Sequence, residues 1–202
     1  MKSMIIMSRE ERRAYLKDLY PYLKISLVIF GSGVVVGLLS VTHFPELAGH
    51  FESSVVGFVK IFRGLSRFEL AVAIFLNNAL KTLVGIVLGT LFGIVPVIFL
   101  VANGTALGVV FLLSAQSRGP WLSLLSILPH GVLELPAVFL GTSIGLMIGS
   151  HAVKRLFGRV ETTLGGELYR GLRFFCAVIL PLLLIAALVE AFLTSALVTP
   201  RQ

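Results

Sequence analysis

The sequence predicts an all-α integral membrane protein, a polytopic bundle of transmembrane helices. Of its 202 residues, 56% are hydrophobic and only 13% are charged, whereas about a quarter are charged in soluble domains. The mean hydropathy is +0.97. Several uncharged runs are long enough to cross a bilayer, which takes about 20 apolar residues at 1.5 Å rise per residue. The length suits one domain.

The formal net charge is +7. In a membrane protein such an excess usually lies in cytoplasmic loops, so it does not indicate nucleic-acid binding. Residues 1–22 hold charged side chains before any apolar run, which predicts a cytoplasmic amphipathic N-terminal segment rather than a cleaved signal peptide. Cys176 is the only cysteine. It excludes an internal disulfide, and we interpret it as a small packing residue. No metal or cofactor is predicted.

The apolar runs define the spans. Residues 23–42 form the first one. Residues 70–115 contain a single charge, Lys81, and as one helix would reach about 69 Å, so we predict two spans, 70–90 and 93–115. The turn between them is placed at Thr90 to Pro96, although Asn103-Gly104 is the stronger turn signal. The last span is 174–197, with a kink at Pro181.

Two other segments are less regular. Residues 43–68 are more polar, and apolar side chains recur in them at helical spacing. This predicts an amphipathic helix near 49–64, which either lies on the membrane surface or caps the bundle. Residues 119–153 carry one charge, Glu134, and are too many for one ordinary span and too few for two. Pro129, Gly131 and Pro136 interrupt them, so we predict a broken or re-entrant half-helix near 120–136 and a span at 130–150.

The topology follows from two basic segments, 1–22 and 154–173. The positive-inside rule places both in the cytoplasm, which requires an even number of crossings between them. Five spans in a single membrane domain, 23–198, satisfy this condition. The prediction is therefore a multi-pass protein of the cell membrane with a cytoplasmic N-terminus.

Two glycine ladders recur at a spacing of four residues: Gly85, Gly89 and Gly93, then Gly141, Gly145 and Gly149. This spacing places the glycines on one helix face, where two backbones can approach closely. The ladders indicate either tight packing inside the protomer, the interpretation we favour, or the contact face of a homodimer.

Polar side chains at membrane depth are the candidate functional residues, because they normally face the bundle interior or a cavity. His130 and Glu134 would share a face on a continuous helix, as would Asn77 and Lys81. Lys81 can pair with Glu134 or Glu190 across the bundle. These groups either form a binding site or satisfy one another and fix helix register, and the sequence favours neither. The full set is Asn77, Asn78, Lys81, Asn103, His130, Glu134 and Glu190.

No catalytic residues are predicted. One histidine and one glutamate are too few for a catalytic zinc site, which usually has three protein ligands. The His-Glu-x-x-His motif is missing from the sequence. We therefore expect a protein that is not an enzyme.

A family resemblance rests on the order of several motifs. These are Phe75-Leu76-Asn77-Asn78, the first glycine ladder, Asn103-Gly104 with Leu107-Gly108, the segment from Pro129-His130-Gly131 to Glu134-Leu135-Pro136, and Ala187 to Phe192. In this order they resemble the stage II sporulation protein M family over about residues 20–198. The resemblance implies a helical membrane protein that recruits and localises peptidoglycan-degrading partners.

Two functions remain open. The first is a membrane scaffold or assembly protein without catalytic activity, acting as a homodimer in the lipid bilayer and contacting other membrane or envelope proteins. It rests on the resemblance and on the lack of a predicted catalytic site. The alternative is a transporter or channel for an ion or small solute, which rests on the expected helix break and the intramembrane His, Glu and Asn groups. No nucleic-acid partner is expected.

Overall fold

The protein was examined as a computed structural model, which describes residues 7–44, 46, 49, 64–159 and 162–194, without the side chains of 126–130, 133, 193 and 194. The helices are α1 (Arg9–His43), α2 (Arg67–Leu88), α3 (Ile94–Arg118), α4 (Pro120–Leu156), α5 (Leu164–Phe174) and α6 (Leu180–Val189). Two π-helical segments, Phe175–Ile179 and Glu190–Thr194, follow α5 and α6. All regular elements of the described residues are helical, which confirms the predicted fold class.

Five helices in the described part of the chain are long and apolar enough to cross a membrane. They contain α1, α2, α3, the part of α4 from Glu134 onward, and the run from α5 through α6. Large apolar side chains such as Val28, Leu80 and Ile98 stay exposed on the outside of the bundle. Exposed apolar surface of this kind suits a bilayer better than water.

Capping residues fix where two of the helices begin. Ser8 and Glu11 form a capping box at the start of α1, and Ser66 and Glu69 form the same box at the start of α2. In each box the serine oxygen accepts from a backbone N–H, and the glutamate accepts from the serine backbone. α1 runs without interruption through Pro21. The charged residues 9–22 therefore belong to the same helix as the first apolar run.

The predicted break at Pro129–Pro136 is wrong. Helical backbone runs through Pro129, Gly131 and Pro136 within α4. Each proline removes one backbone donor, but a membrane helix tolerates this loss where neighbouring helices, side chains or local adjustments satisfy the freed carbonyls. At 1.5 Å per residue the 37 residues of α4 span about 55 Å. α4 is thus longer than the bilayer core. The amphipathic helix predicted near 49–64 lies outside the described residues.

The turn between α2 and α3 falls at Gly89–Gly93, the first of the two positions considered, and Asn103-Gly104 lies inside α3. Phe92 and Gly93 have φ angles of 57° and 76°. Positive φ costs glycine little but is unusual for a bulky residue such as phenylalanine.

The last helix changes hydrogen-bonding pattern ahead of Pro181. The π-helical segment Phe175–Ile179 precedes α6, in which Pro181 occupies the first turn. The kink expected at Pro181 therefore corresponds to a widened backbone, a frequent adjustment where proline disturbs the α-helical ladder. Cys176 lies in this segment and is exposed. The prediction that it is a packing residue inside the bundle is therefore wrong.

The helices alternate in direction. Gly33 lies against Val101 and Gly37 against Thr105, so α1 and α3 are parallel. Thr82 lies against Gly141 and Gly89 against Gly145, so α2 and α4 are parallel. Tyr22 donates to Ser150 at 3.1 Å, and Ser26 and Ser143 share a buried hydrogen bond of 3.0 Å, so α1 and α4 are antiparallel.

At one end of the bundle, the first turns of α1 pack against α5. Tyr15 is buried against Phe174, with ring centroids 5.0 Å apart. Arg170 pairs with Asp18 at 3.1 Å, and Arg173 pairs with Glu11 at 3.5 Å. Because the basic segments of the sequence meet here, we call it the basic end.

Candidate functional site

A polar cavity of about 530 Å³ lies between α1, α2, α3, α4 and Glu190. Every intramembrane polar residue predicted from the sequence whose side chain is described lines this cavity: Asn77, Asn78, Lys81, Asn103, Glu134 and Glu190. The side chain of His130 lies outside the described part of the structure. The sequence therefore selected groups that the fold brings together from four separate segments.

Helical spacing on α2 and α4 produces the two main walls of this cavity. Asn77, Lys81 and Gly85 follow one another at four-residue intervals along α2. On α4, Gly131, Glu134 and Val138 also fall on one side. Residues three or four apart share a helix face, and since α2 and α4 are parallel, the two faces run side by side in the same direction. The cavity-lining residues of α2 and α4 therefore lie at similar depth in the bundle.

The cavity wall contains side chains of both negative and positive charge. Glu134 is buried, with 5% of its surface exposed, and its carboxylate interacts electrostatically with the Lys81 ammonium. The Lys81 residue is exposed, and Glu190 is half-buried. A charge in a membrane interior is retained only where partners or a polar cavity stabilise it. Lys81 and Glu134 together meet that condition.

Three asparagines supply neutral amide groups to the cavity wall. The Asn77 side chain donates to the side-chain oxygen of Asn78 at 3.3 Å, and Asn103 donates to the Phe99 carbonyl at 2.7 Å. Both bonds use amide N–H groups. Amide oxygens are acceptors with two lone pairs each, so the asparagines add acceptor capacity to a cavity that already holds two carboxylates.

Glu190 stands at the first position of the second π-helical segment, Glu190–Thr194. Single π-helical turns inside α-helices occur frequently at functional sites, because the extra residue turns a side chain away from the regular register. The change of register at Glu190 coincides with its place in the cavity wall.

The two glycine ladders pack against each other inside the chain. A Cβ atom placed on Gly145 would lie 2.6 Å from the Gly85 carbonyl oxygen, and one placed on Gly89 would lie 2.5 Å from the Gly145 Cα atom. Gly149 approaches the backbone of Gly93 just as closely. The structure favours packing inside the protomer, because a face already filled by another helix of the same chain cannot also contact a second copy. A homodimer would need another surface.

A second glycine interface was missed from the sequence. Gly33 and Gly37 of α1 face Gly104 and Gly108 of α3, and a Cβ atom on either Gly104 or Gly108 would lie 3.1 Å from a glycine Cα atom of α1. The Thr105 hydroxyl donates to the Gly33 carbonyl at 3.2 Å. The four-residue spacing of both pairs was the available signal. From the sequence alone, Gly104 next to Asn103 indicates a turn instead.

A second cavity, of about 430 Å³, lies where the middle of α1 meets the Gly89–Gly93 turn, the start of α3 and the end of α4. Tyr22 and Ser150, its hydroxyl-bearing side chains, bond to each other at 3.1 Å. The remaining side chains that line it are apolar. In the described part of the chain, polar groups converge in the larger cavity, and no three His, Cys, Asp or Glu side chains are grouped as a metal site.

Fold and site together define a multi-pass membrane protein with an intramembrane polar cavity. The family model described as "Stage II sporulation protein M" matches residues 26–195, which include the second half of the first candidate span, the other four spans and every cavity residue. The chain belongs to the stage II sporulation protein M family, as its motifs predicted. No curated protein and no solved structure matches the chain.

Proposed function

We propose that this protein binds a small solute or ion in the cavity around Glu134 and carries it across the membrane, without catalysing a chemical reaction. The observation that carries the proposal is the convergence of six charged or amide side chains on one cavity of about 530 Å³. This volume falls within the range of small-molecule sites, about 300–1,000 Å³. A purely structural polar cluster would be expected to close on itself.

The depth of the cavity supports transport. Asn77 and Asn78 lie near the middle of α2, and Asn103 lies ten residues into α3. Transporters hold their solutes near the middle of the bilayer, where groups from several helices meet. The helix break that first motivated the transport hypothesis is not needed for this argument, because the continuous α4 brings Glu134 to the same place.

The test is flux into liposomes that contain the purified protein. Glu134→Gln keeps the size of the side chain and removes its charge. We expect it to lower flux of the carried solute by about tenfold or more, since a loss of 1.4 kcal/mol in binding is tenfold. Solutes of positive, negative and zero charge are screened in parallel.

Glu69→Gln is the matched control for this experiment, because Glu69 belongs to the cap of α2 and does not line the cavity. It should leave flux unchanged. If none of the screened solutes moves, and Glu134→Gln changes only the thermal stability of the protein, the cavity is a structural polar core and the transport proposal fails.

A scaffold function is the second candidate, and the exposed basic residues of α1 at the basic end favour it. Arg9, Arg13 and Lys17 are exposed and lie four residues apart, on the side of α1 opposite to the buried Tyr15. By the positive-inside rule we propose that this end is cytoplasmic, which a protease-protection assay of an N-terminal tag can check. The basic stripe formed by Arg9, Arg13 and Lys17 would then be accessible to a cytoplasmic partner with an acidic surface.

For the scaffold, the test is affinity purification of the full chain from membranes. Arg13→Glu with Lys17→Glu reverses the stripe without touching the buried contacts of Tyr15. If the stripe recruits a partner, the double variant should recover at least about tenfold less of it, because like charges now face each other. Lys24→Met, outside the stripe, is the control. Equal recovery by all three forms, or recovery of no partner, argues against a scaffold.

A further inference from the structure

The charge balance of the cavity is acidic. Among the described side chains that line it, Glu134, Glu190 and Lys81 are the ionisable ones. Two carboxylates and one ammonium leave an excess of one negative charge when all three are ionised. The amide oxygens of the asparagines lie in the same wall. The described lining therefore offers more to a positive group than to a negative one.

The rest of the cavity wall is apolar and partly aromatic. Phe30 and Phe99 line it together with Leu107, Val110 and Val138. The Phe30 ring is held in place by Phe139, with centroids 5.1 Å apart and the rings nearly perpendicular. Aromatic rings attract organic cations as well as apolar groups. A bare metal ion would leave most of a cavity of about 530 Å³ and its apolar wall unused.

Lys81 already supplies a positive group to this cavity. Its side chain lines the wall and interacts electrostatically with Glu134. A lysine ammonium is a compact charge on a flexible four-carbon stem. The exposed position of Lys81 gives the stem room to swing aside. A cationic ligand and the Lys81 ammonium would therefore compete for the same carboxylate.

From these three observations we propose that the cavity binds an organic cation with an apolar body. Its ammonium group lies beside Glu134 and Glu190, its apolar body lies against Phe30 and Phe99, and Lys81 competes with it for Glu134. The proposal deepens the proposed function, on which it rests for the location of the solute, by naming the class of solute and a residue that sets its affinity.

The test uses benzyltrimethylammonium as the probe and isothermal titration calorimetry of the full-length protein in detergent. Benzenesulfonate and benzyl alcohol serve as the anionic and neutral probes of similar size. We expect saturable binding of the cation only. Glu134→Gln should weaken it by about tenfold or more, as expected for a lost charge contact of 1.4 kcal/mol or more.

Lys81→Met is the decisive variant, because it removes the competing charge and retains an unbranched side chain. It should strengthen binding of the cation by about threefold or more, which corresponds to roughly 0.65 kcal/mol. A gain of affinity cannot result from misfolding, so the test stands even if Glu134→Gln fails to fold. Lys24→Met and Glu69→Gln change the same charges outside the cavity and should leave the affinity unchanged.

Several results would overturn the inference. One is the absence of saturable binding of the cation to both the wild-type protein and Lys81→Met. Equal binding of benzyl alcohol, preference for benzenesulfonate, or weaker cation binding by a folded Lys81→Met are others. Flux of an anionic or neutral solute without cation binding would refute this inference and leave transport standing. Cation binding without any flux would support this inference and refute transport.

Discussion

The two halves of the α2–α4 pair differ in packing: the helices touch in one half and leave a cavity between them in the other. From Gly85, which borders the cavity, and Gly145 toward the basic end, glycine faces glycine and the backbones touch. In the other half, Asn77, Lys81 and Glu134 occupy the corresponding stripe and a cavity opens. The stripe itself is continuous along both helices. Side-chain size along one helix face thus determines where the bundle is closed and where it is open.

The α1–α3 pair supports the same conclusion from another part of the bundle. Gly33 and Gly37 bring the two backbones together, and Thr105 adds a hydrogen bond to the Gly33 carbonyl. Small residues allow close helix packing in membranes, where there is no hydrophobic driving force between helices. Two tight interfaces, α1–α3 and α2–α4, therefore hold the frame in which a polar cavity can persist.

The largest effect expected from this comparison is at Gly145. Gly145→Ala places a methyl group 2.6 Å from the Gly85 carbonyl oxygen, so the two helices must move apart. Overpacking of this kind costs about 1–3 kcal/mol. Thermal unfolding in detergent, followed by circular dichroism, should show a clear loss of stability.

Gly31→Ala is the matched control, because Gly31 is also helical but exposed, and no atom of the described residues lies within 4 Å of the added Cβ. It should be neutral or slightly stabilising, since alanine favours the helix over glycine. Equal stability of the two alanine variants would mean that α2 and α4 are not in tight contact, and the closed half of the comparison would be lost.

Several features of this protein could be predicted because they depend on local chemistry. The spans follow from apolar length, and Asn77, Lys81 and Glu134 stand out because polar groups are costly in lipid. Gly89 and Gly145 stand out through their spacing. What the spacing cannot supply is the partner: only the fold shows that one ladder packs on the other rather than on a second copy.

The errors have a physical explanation as well. A sequence shows that Pro129 and Pro136 remove two backbone donors, but not whether the surrounding helices tolerate the loss, so a break was expected where α4 is continuous. Gly104 is a turn former next to Asn103 and a packing residue next to Gly33. The second role depends on α1, which lies about 70 positions earlier in the sequence. Such long-range contacts override local propensity.

The smallest expected effect has the opposite sign and lies in the open half of α4. Gly131 lines the cavity, and among the described residues an added Cβ atom there would meet only the end of the Leu135 side chain, at 3.5 Å. That is an ordinary contact distance. Gly131→Ala should therefore raise stability by about 0.5–1 kcal/mol, because glycine in a helix interior is less favourable than alanine by this amount.

The same unfolding assay measures Gly131→Ala and Gly145→Ala, which are identical changes fourteen residues apart on one helix. Opposite signs would show that α4 changes from open to closed between Gly131 and Gly145, as the Thr82–Gly141 contact implies. If Gly131→Ala destabilises as much as Gly145→Ala, the cavity half is closed too. The space for a solute beside Glu134 would then be absent, and the transport proposal would lose its main support.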